Sequence, residues 1–222
     1  MNIKWSFLLA LCIVAIACSS TKKIVGNNSI PAEYSAIYDR VQRSTFQYFW
    51  DGAEPTSGLA RERFHVDGVY PENDKHIITS GGGGFGVMAI VTAIHRGFIT
   101  REEGRARLQK IVDFLESADK FKGAFPHWLN GATGKVQPFS AKDDGADLVE
   151  TSFLMQGLLT ARQYFDGAAA AETTLRNDIN ALWRAVEWDW FTKGGENVLY
   201  WHWSPGYGWE RTRGGPSSAR RG

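Results

Sequence analysis

The stretch Phe85-Gly-Val-Met-Ala-Ile-Val-Thr-Ala-Ile-His-Arg-Gly97-Phe-Ile-Thr-Arg-Glu-Glu103 decides how this chain folds. It opens with apolar side chains at Val87, Met88, Ile90, Val91 and Ile94, the spacing of a helix over 85–96. Gly97 suits the left-handed residue that ends a helix. Thr100 and Glu103 then make a capping box, which starts a second helix running to 118 with Leu108, Ile111, Val112, Phe114 and Leu115 turned inward. Helices joined by so short a turn pack as antiparallel neighbours.

The same pattern recurs on both sides. Residues 32–50 read as a helix with Tyr38, Val41, Phe46, Tyr48, Phe49 and Trp50 as its apolar stripe. Residues 145–165 and 169–188 read as two more, the second carrying Leu175, Ile179, Leu182, Trp183 and Val186. A Gly, Gly167, again sits in the short connection. Segments 51–80 and 119–142 lack a sustained period and are long loops, which in compact domains are often functional. Alternating short and long connections predict an all-α fold of helical hairpins side by side, with a cleft at the long-loop end. No strand–helix–strand repeat is visible.

The 222 residues are 43% hydrophobic, enough for one sizeable core. A net charge of +1, with acids and bases intermixed, gives no basic patch, so no nucleic-acid partner is indicated. Aromatics reach 13%, nine of them Trp, and six of those fall between Trp183 and Trp209. Lys193-Gly-Gly195 and Pro205-Gly206 break that segment into loops, where not every aromatic can be core. Trp and Tyr present flat, half-polar surfaces suited to sugar rings.

Residues 1–17 begin with Lys4 and an apolar run too short for a stable membrane span. Ala15-Ile-Ala17-Cys18 followed by a polar stretch resembles a bacterial lipoprotein signal. That resemblance implies export to the periplasm or outer membrane, a lipid anchor at Cys18, and a polar tether over 18–31. An ordinary secretory signal is the alternative. The only other cysteine, Cys12, lies in the removed segment, so the mature chain would hold no disulfide.

The best candidate for chemistry is Asp143-Asp-Gly-Ala-Asp147-Leu-Val-Glu150 at the head of the 145–165 helix. Acids three to four apart share a helix face. The run that follows, with Leu148, Val149, Phe153, Leu154, Leu158 and Leu159, is too apolar for a solvent-washed helix, and buried acids are costly unless paired or used. Glu150 lies deeper and suits a general acid, whereas Asp143 and Asp147 lie where the helix dipole favours the ionised form. Capping by Asp143 or Asp144, or a salt bridge from Glu150 to an arginine, would explain the same residues without chemistry.

Other motifs carry less. Gly81-Gly-Gly-Gly-Phe-Gly86 matches GxGxxG, but the surrounding unit of a dinucleotide site is absent, and close backbone approach is the better use of these glycines. No histidine has metal-site spacing along the chain, and no acyl-transfer motif is present. His127 in Phe125-Pro-His127-Trp128 and His202 in Tyr200-Trp-His202-Trp203 sit among aromatics, either as structural histidines or as ligand contacts.

Ser57-Gly-Leu59, the 80–86 segment before a helix, Phe125-Pro-His127-Trp128, Asp147-Leu-Val-Glu150-Thr151, Trp188-Asp-Trp190 and Trp203-Ser-Pro205 through Trp209 occur in an order that resembles the glucoamylase-like domain family. That family includes glycoside hydrolase family 144 and its endo-β-1,2-glucanases. The resemblance spans 32–209. It implies an (α/α)6 toroid, hydrolysis of a β-1,2-glucan or another glucan by a monomer, and no obligatory cofactor or metal. It places Asp143, Asp147 and Glu150 in the substrate cleft. His127, Trp128, Trp201, His202 and Trp203 would line sugar subsites. A non-catalytic glycan-binding lipoprotein would use the same aromatics. The resemblance also implies further helices after a Gly-Trp-Asn-Glu-like segment. Residues 210–222, rich in Arg and Gly, do not supply them, so the sequence reads as an incomplete toroid with an aberrant tail.

Overall fold

The computed structural model describes residues 30–72 and 74–210. The expected signal segment, Cys18, most of the tether, and the tail beyond Glu210 lie outside these residues. The chain divides into two compact units, 1–39 and 40–222. In the first, the described part is Ile30, Pro31 and the opening turns of helix α1 (Ala32–Trp50), with no buried residue. The expected α1 stripe is therefore only partly realised: within the second unit Phe46 and Trp50 pack against the core, while Val41 is 56% exposed.

The second unit continues through strand β1 (Ile77–Thr79), helices α2 (Ser80–His95) and α3 (Arg101–Ser117), and strands β2 (Trp128–Asn130) and β3 (Ala146–Asp147). Helices α4 (Leu148–Tyr164) and α5 (Ala170–Ala185) follow, then a 3-10 turn at Trp190–Thr192 and strand β4 (His202–Trp203). The fold is all-α: among the described residues the strands have two or three residues and form two antiparallel pairs, β1 with β2 and β3 with β4.

The capping box at Thr100 and Glu103 forms as expected, and Gly97 at φ 69° ends α2, its N–H returning to the Ile94 carbonyl. Gly167 departs from expectation. It is not left-handed; its N–H instead donates to Glu172 Oε2 at 2.7 Å. The same carboxylate takes Arg101 Nε at 2.7 Å, which ties the start of α3 to the start of α5.

Helix α2 starts at Ser80, five residues before the expected 85, because Thr79 caps it by accepting from Gly82 N–H. The glycine run thus lies in its first turns, and close approach explains it. A Cβ on Gly84 would sit 2.1 Å from the Phe153 carbonyl oxygen, and one on Gly157 would sit 2.2 Å from that of Gly84. Helices α2 and α4 therefore touch backbone to backbone, with Val87, Ile90, Leu154, Met155 and Leu158 buried around the contact. Each such side chain contributes about 1.5–3 kcal/mol of burial. Helix α4 is not buried all round: Val149 and Phe153 stay 47% and 39% exposed.

Candidate functional site

The N-terminal ends of α2 and α4 lie side by side, and the long loops converge there. Ser80 holds the 125–130 segment over α2: its N–H donates to the His127 carbonyl at 3.1 Å and its hydroxyl to the Pro126 carbonyl at 2.6 Å. Strand β3 joins from the other side. Asp147 N–H donates to the Phe125 carbonyl at 2.8 Å, and Asp147 stands opposite His202 in the β3–β4 ladder. Opposed residues in a ladder share one face. Three separated segments, gathered at the head of α2, thus bring His127, Asp143, Asp147, Glu150 and His202 together.

The acids do not share one helix face, as their spacing suggested. The helix begins only at Leu148, because the preceding residues are drawn into the ladder, and Asp147 is its N-cap. Asp147 Oδ1 accepts from Glu150 N–H at 2.9 Å, and Oδ2 stands 3.2 Å from His127 Nδ1, so both of its oxygens are engaged. The cap is Asp147, not Asp143 or Asp144. Glu150 is half-buried, and its Oε2 accepts from Gly81 N–H at 2.8 Å. Its partner is the backbone at the head of α2 rather than an arginine. A helix N-terminus attracts anions, and here the protein supplies its own, which occupies the place a phosphate would take on this glycine run.

Asp143 is 8% exposed. Its Oδ1 is 3.4 Å from Nε2 of His202, a side chain only 9% exposed, while its Oδ2 has no hydrogen-bond partner among the described residues. The neighbouring Asp144 Oδ1 is also buried without one. The hydrogen bond from His127 to Asp147 raises the imidazole pKa above its ordinary value, with Glu150 and Asp143 adding to the effect against desolvation. Donor atoms of His127, Asp143 and Asp147 lie within 4.8 Å of one another, a set that could take a divalent cation. A cation there would have to displace the His127 hydrogen bond from Asp147. Spacing along the chain gave no sign of this cluster, because its members come from different loops.

The aromatics divide by role. Trp201 is 53% exposed and, with Leu199, Tyr200 and Trp209, walls a cavity of about 480 Å³ beside His202. Trp203 instead packs on the core, its ring 5.5 Å from Trp190 and 6.1 Å from Phe121. Trp128 packs against Phe139, whose ring also meets His127 at 5.2 Å. Phe139, 51% exposed, lies in a loop without periodicity, so nothing in the sequence marked it.

Comparison with known proteins fits this geometry. No protein-family model matches the chain. Over 193 residues it is 51% identical to an exo β-1,2-glucooligosaccharide sophorohydrolase (non-reducing end) of Parabacteroides distasonis, covering 86% of this chain and 26% of that protein. The structure superposes with TM-score 0.76 and 60% identity on an endo-β-1,2-glucanase from Chitinophaga pinensis solved with sophorotriose and glucose, covering 82% of this chain and 43% of that one. A β-1,2-glucanase from Parabacteroides distasonis aligns with TM-score 0.74 and 51% identity over 82% of this chain and 25% of its own. The chain is a relative of β-1,2-glucan hydrolases. The resemblance read from its motifs is borne out, over less than half the length of these relatives.

Proposed function

We propose that this chain carries the acid-bearing part of a glycoside hydrolase site for β-1,2-linked glucans. The supporting observation is the cluster of Asp143, Asp147 and Glu150 beside an open aromatic wall, in a chain 51–60% identical to proteins named for that hydrolysis. Glycoside hydrolysis needs one carboxyl group to protonate the leaving oxygen and another to activate water or attack the sugar carbon. Donor oxygens of Asp143 and Asp147 lie within 4.8 Å of each other, close enough for both to serve a single bond. Glu150 keeps Oε1 clear of the Gly81 hydrogen bond and is the general acid of this reading. Trp201, with His127, Trp128 and His202, borders the sugar. The test is incubation of the purified chain with linear β-1,2-glucan and sophorooligosaccharides, with products separated by chromatography. Shorter products that disappear in Glu150→Gln support the reading; neither product nor binding would sink it.

A second reading is a glycan-binding protein without catalysis. It is favoured by the structural work done by two of the acids, Asp147 as helix cap and Glu150 as the clamp between α2 and α4. Sugar binding without product release would select it. In either case the helical hairpins would belong to an (α/α)6 toroid of which the described residues form a part. We also propose, on the sequence alone, export and lipidation at Cys18; incorporation of labelled fatty acid that persists in Cys18→Ala would overturn this.

A further inference from the structure

The stretch Phe125-Pro126-His127 lies between the heads of two helices and is tied to both. From α2, the Ser80 hydroxyl donates to the Pro126 carbonyl at 2.6 Å and the Ser80 N–H to the His127 carbonyl at 3.1 Å. From α4 comes Thr151, which is fully buried. Its Oγ1 accepts from the Phe125 N–H at 2.8 Å and donates to the Asp147 carbonyl at 2.7 Å, with a longer contact of 3.3 Å to the Phe125 carbonyl. A threonine in a helix often returns its hydroxyl to the carbonyl four residues back, so the bond to Asp147 alone would be ordinary. The bond from Phe125 is the informative one. Phe125 is buried, and a buried N–H is almost always satisfied; here the acceptor is a side chain 26 residues further along the chain. The Asp147 N–H returns to the Phe125 carbonyl at 2.8 Å, which closes a ring of bonds through Phe125, Asp147 and Thr151.

We infer that Thr151 is a positioning residue for His127: its hydroxyl sets the separation of the two backbones from which the His127–Asp147 pair is built. Among the described residues it is the one side chain bonded to both of those backbones. The link from Phe125 to His127 is stiff. Pro126 has φ locked at about −65° and biases Phe125 before it toward extended backbone, so a shift of the Phe125 N–H carries through to the imidazole. That ring has a narrow target. Nδ1 stands 3.2 Å from Asp147 Oδ2, and Asp147 cannot follow a displaced ring, because its other oxygen caps α4 by accepting from the Glu150 N–H at 2.9 Å. A carboxylate only accepts, so Nδ1 carries the proton. The charged groups facing the ring are Asp147 at the end of β3, Glu150 from α4 and Asp143 from the loop before β3. The placement of the ring follows from the fold alone; that it serves sugar recognition rests on the glucan reading.

The hydroxyl and the methyl of Thr151 can be tested apart on the full chain. Thr151→Ser keeps the hydroxyl and loses the methyl, whereas Thr151→Val keeps the shape and loses the hydroxyl. Both should melt earlier than the parent. The His127 titration midpoint, followed by NMR, should stay at the parent value in Thr151→Ser and fall in Thr151→Val, in the same sense as in Asp147→Asn. Ile179→Val, a buried change in α5, is destabilising without touching these bonds and should leave the midpoint in place. Should Thr151→Val fail to fold, Thr151→Cys, which puts a weak sulfur acceptor in place of the oxygen, gives the same comparison with Thr151→Ser. Calorimetric titration with sophorotriose should follow the same order, with affinity within about threefold of the parent in Thr151→Ser and about tenfold lower in Thr151→Val. A midpoint unchanged in Thr151→Val would overturn the inference. So would a midpoint, or a sugar affinity, lowered equally by Thr151→Ser and Thr151→Val, since packing and not the hydroxyl would then place the ring. If the parent chain binds no sophorotriose, the glucan reading fails, and the midpoints still decide the role of Thr151.

Discussion

Asp147 ends a strand, starts a helix and holds a histidine, and these duties can be separated by substitution. Asparagine caps helices about as well as aspartate, so Asp147→Asn should leave stability within about 1 kcal/mol of the parent. It removes the charge facing His127, however, and that hydrogen bond is the first cause of the raised imidazole pKa. The His127 titration midpoint followed by NMR should therefore fall toward the ordinary histidine value in Asp147→Asn. An unchanged midpoint would mean that Asp147 does not hold the ring. Asp147→Ala also loses the cap and should cost a further ~0.5–2 kcal/mol. Because the folded-state value is raised, pairing stabilises the fold fully below the ordinary value of about 6.5. That contribution is lost as pH rises through the folded value. The difference in melting temperature between parent and Asp147→Asn should accordingly narrow on the alkaline side.

At the scale of elements, the contact between α2 and α4 depends on two glycines. Gly84→Ala would place a methyl 2.1 Å from the Phe153 carbonyl oxygen, a backbone atom that cannot turn aside. The helices must separate, at a cost of about 2 kcal/mol or more. In a chain of this size that lowers the melting temperature by about 4–8 °C. Gly206→Ala, whose methyl meets nothing nearer than 3.7 Å, should be close to neutral in the same assay. The second tie is Glu172 with Arg101. The Arg101 hydrogen bond, helped by the Gly167 N–H, holds the Glu172 carboxyl below its usual value. Its contribution is present above the ordinary glutamate value of about 4.3 and is lost as pH falls through the lower folded value. Arg101→Met should thus melt earlier than the parent near neutrality and converge with it below about pH 4; a gap that stays constant with pH would rule out the ion pair as its source. Much of this level was legible in the sequence. Apolar periodicity located the five helices of the described residues, and Thr100 with Glu103 gave one start to the residue. The starts of α2 and α4 were misjudged because strand pairing, a contact between distant segments, fixes where each helix begins. Gly167 misled for a similar reason: its partner, Glu172, lies in the next helix, and local turn chemistry says nothing of it.

At the scale of the whole molecule, the site is a property of chain topology. The acidic motif at Asp143, Asp147 and Glu150 could be read from spacing, but the work of Asp147 as cap and of Glu150 as clamp could not. The groups that face these acids, His127 at Asp147, Gly81 at Glu150 and His202 at Asp143, lie 20, 69 and 59 residues away along the chain. The aromatic segment was legible as a group, and its split into core and surface was not, because loops carry no period that says which rings turn inward. Trp203 shows the consequence. It packs against Trp190 and Phe121, stands opposite Ala146 in the β3–β4 ladder, and follows His202 directly. Trp203→Ala removes a half-buried ring from this cluster and should lower stability by about 2–4 kcal/mol, toward the lower end of the range for buried aromatic truncations. The lost ring also anchors β4, so the same variant should loosen His202 and with it Asp143, although Trp203 itself need not touch a sugar. Thermal melts and sophorotriose titrations on one preparation separate the two effects. Trp201→Ala, which removes an exposed ring from the cavity wall, should weaken sugar binding with little change in melting temperature. Trp203→Ala should lower both together. If instead Trp203→Ala left the melting temperature unchanged and abolished binding, the ring would be a direct sugar platform, and the packing account of β4 would be wrong.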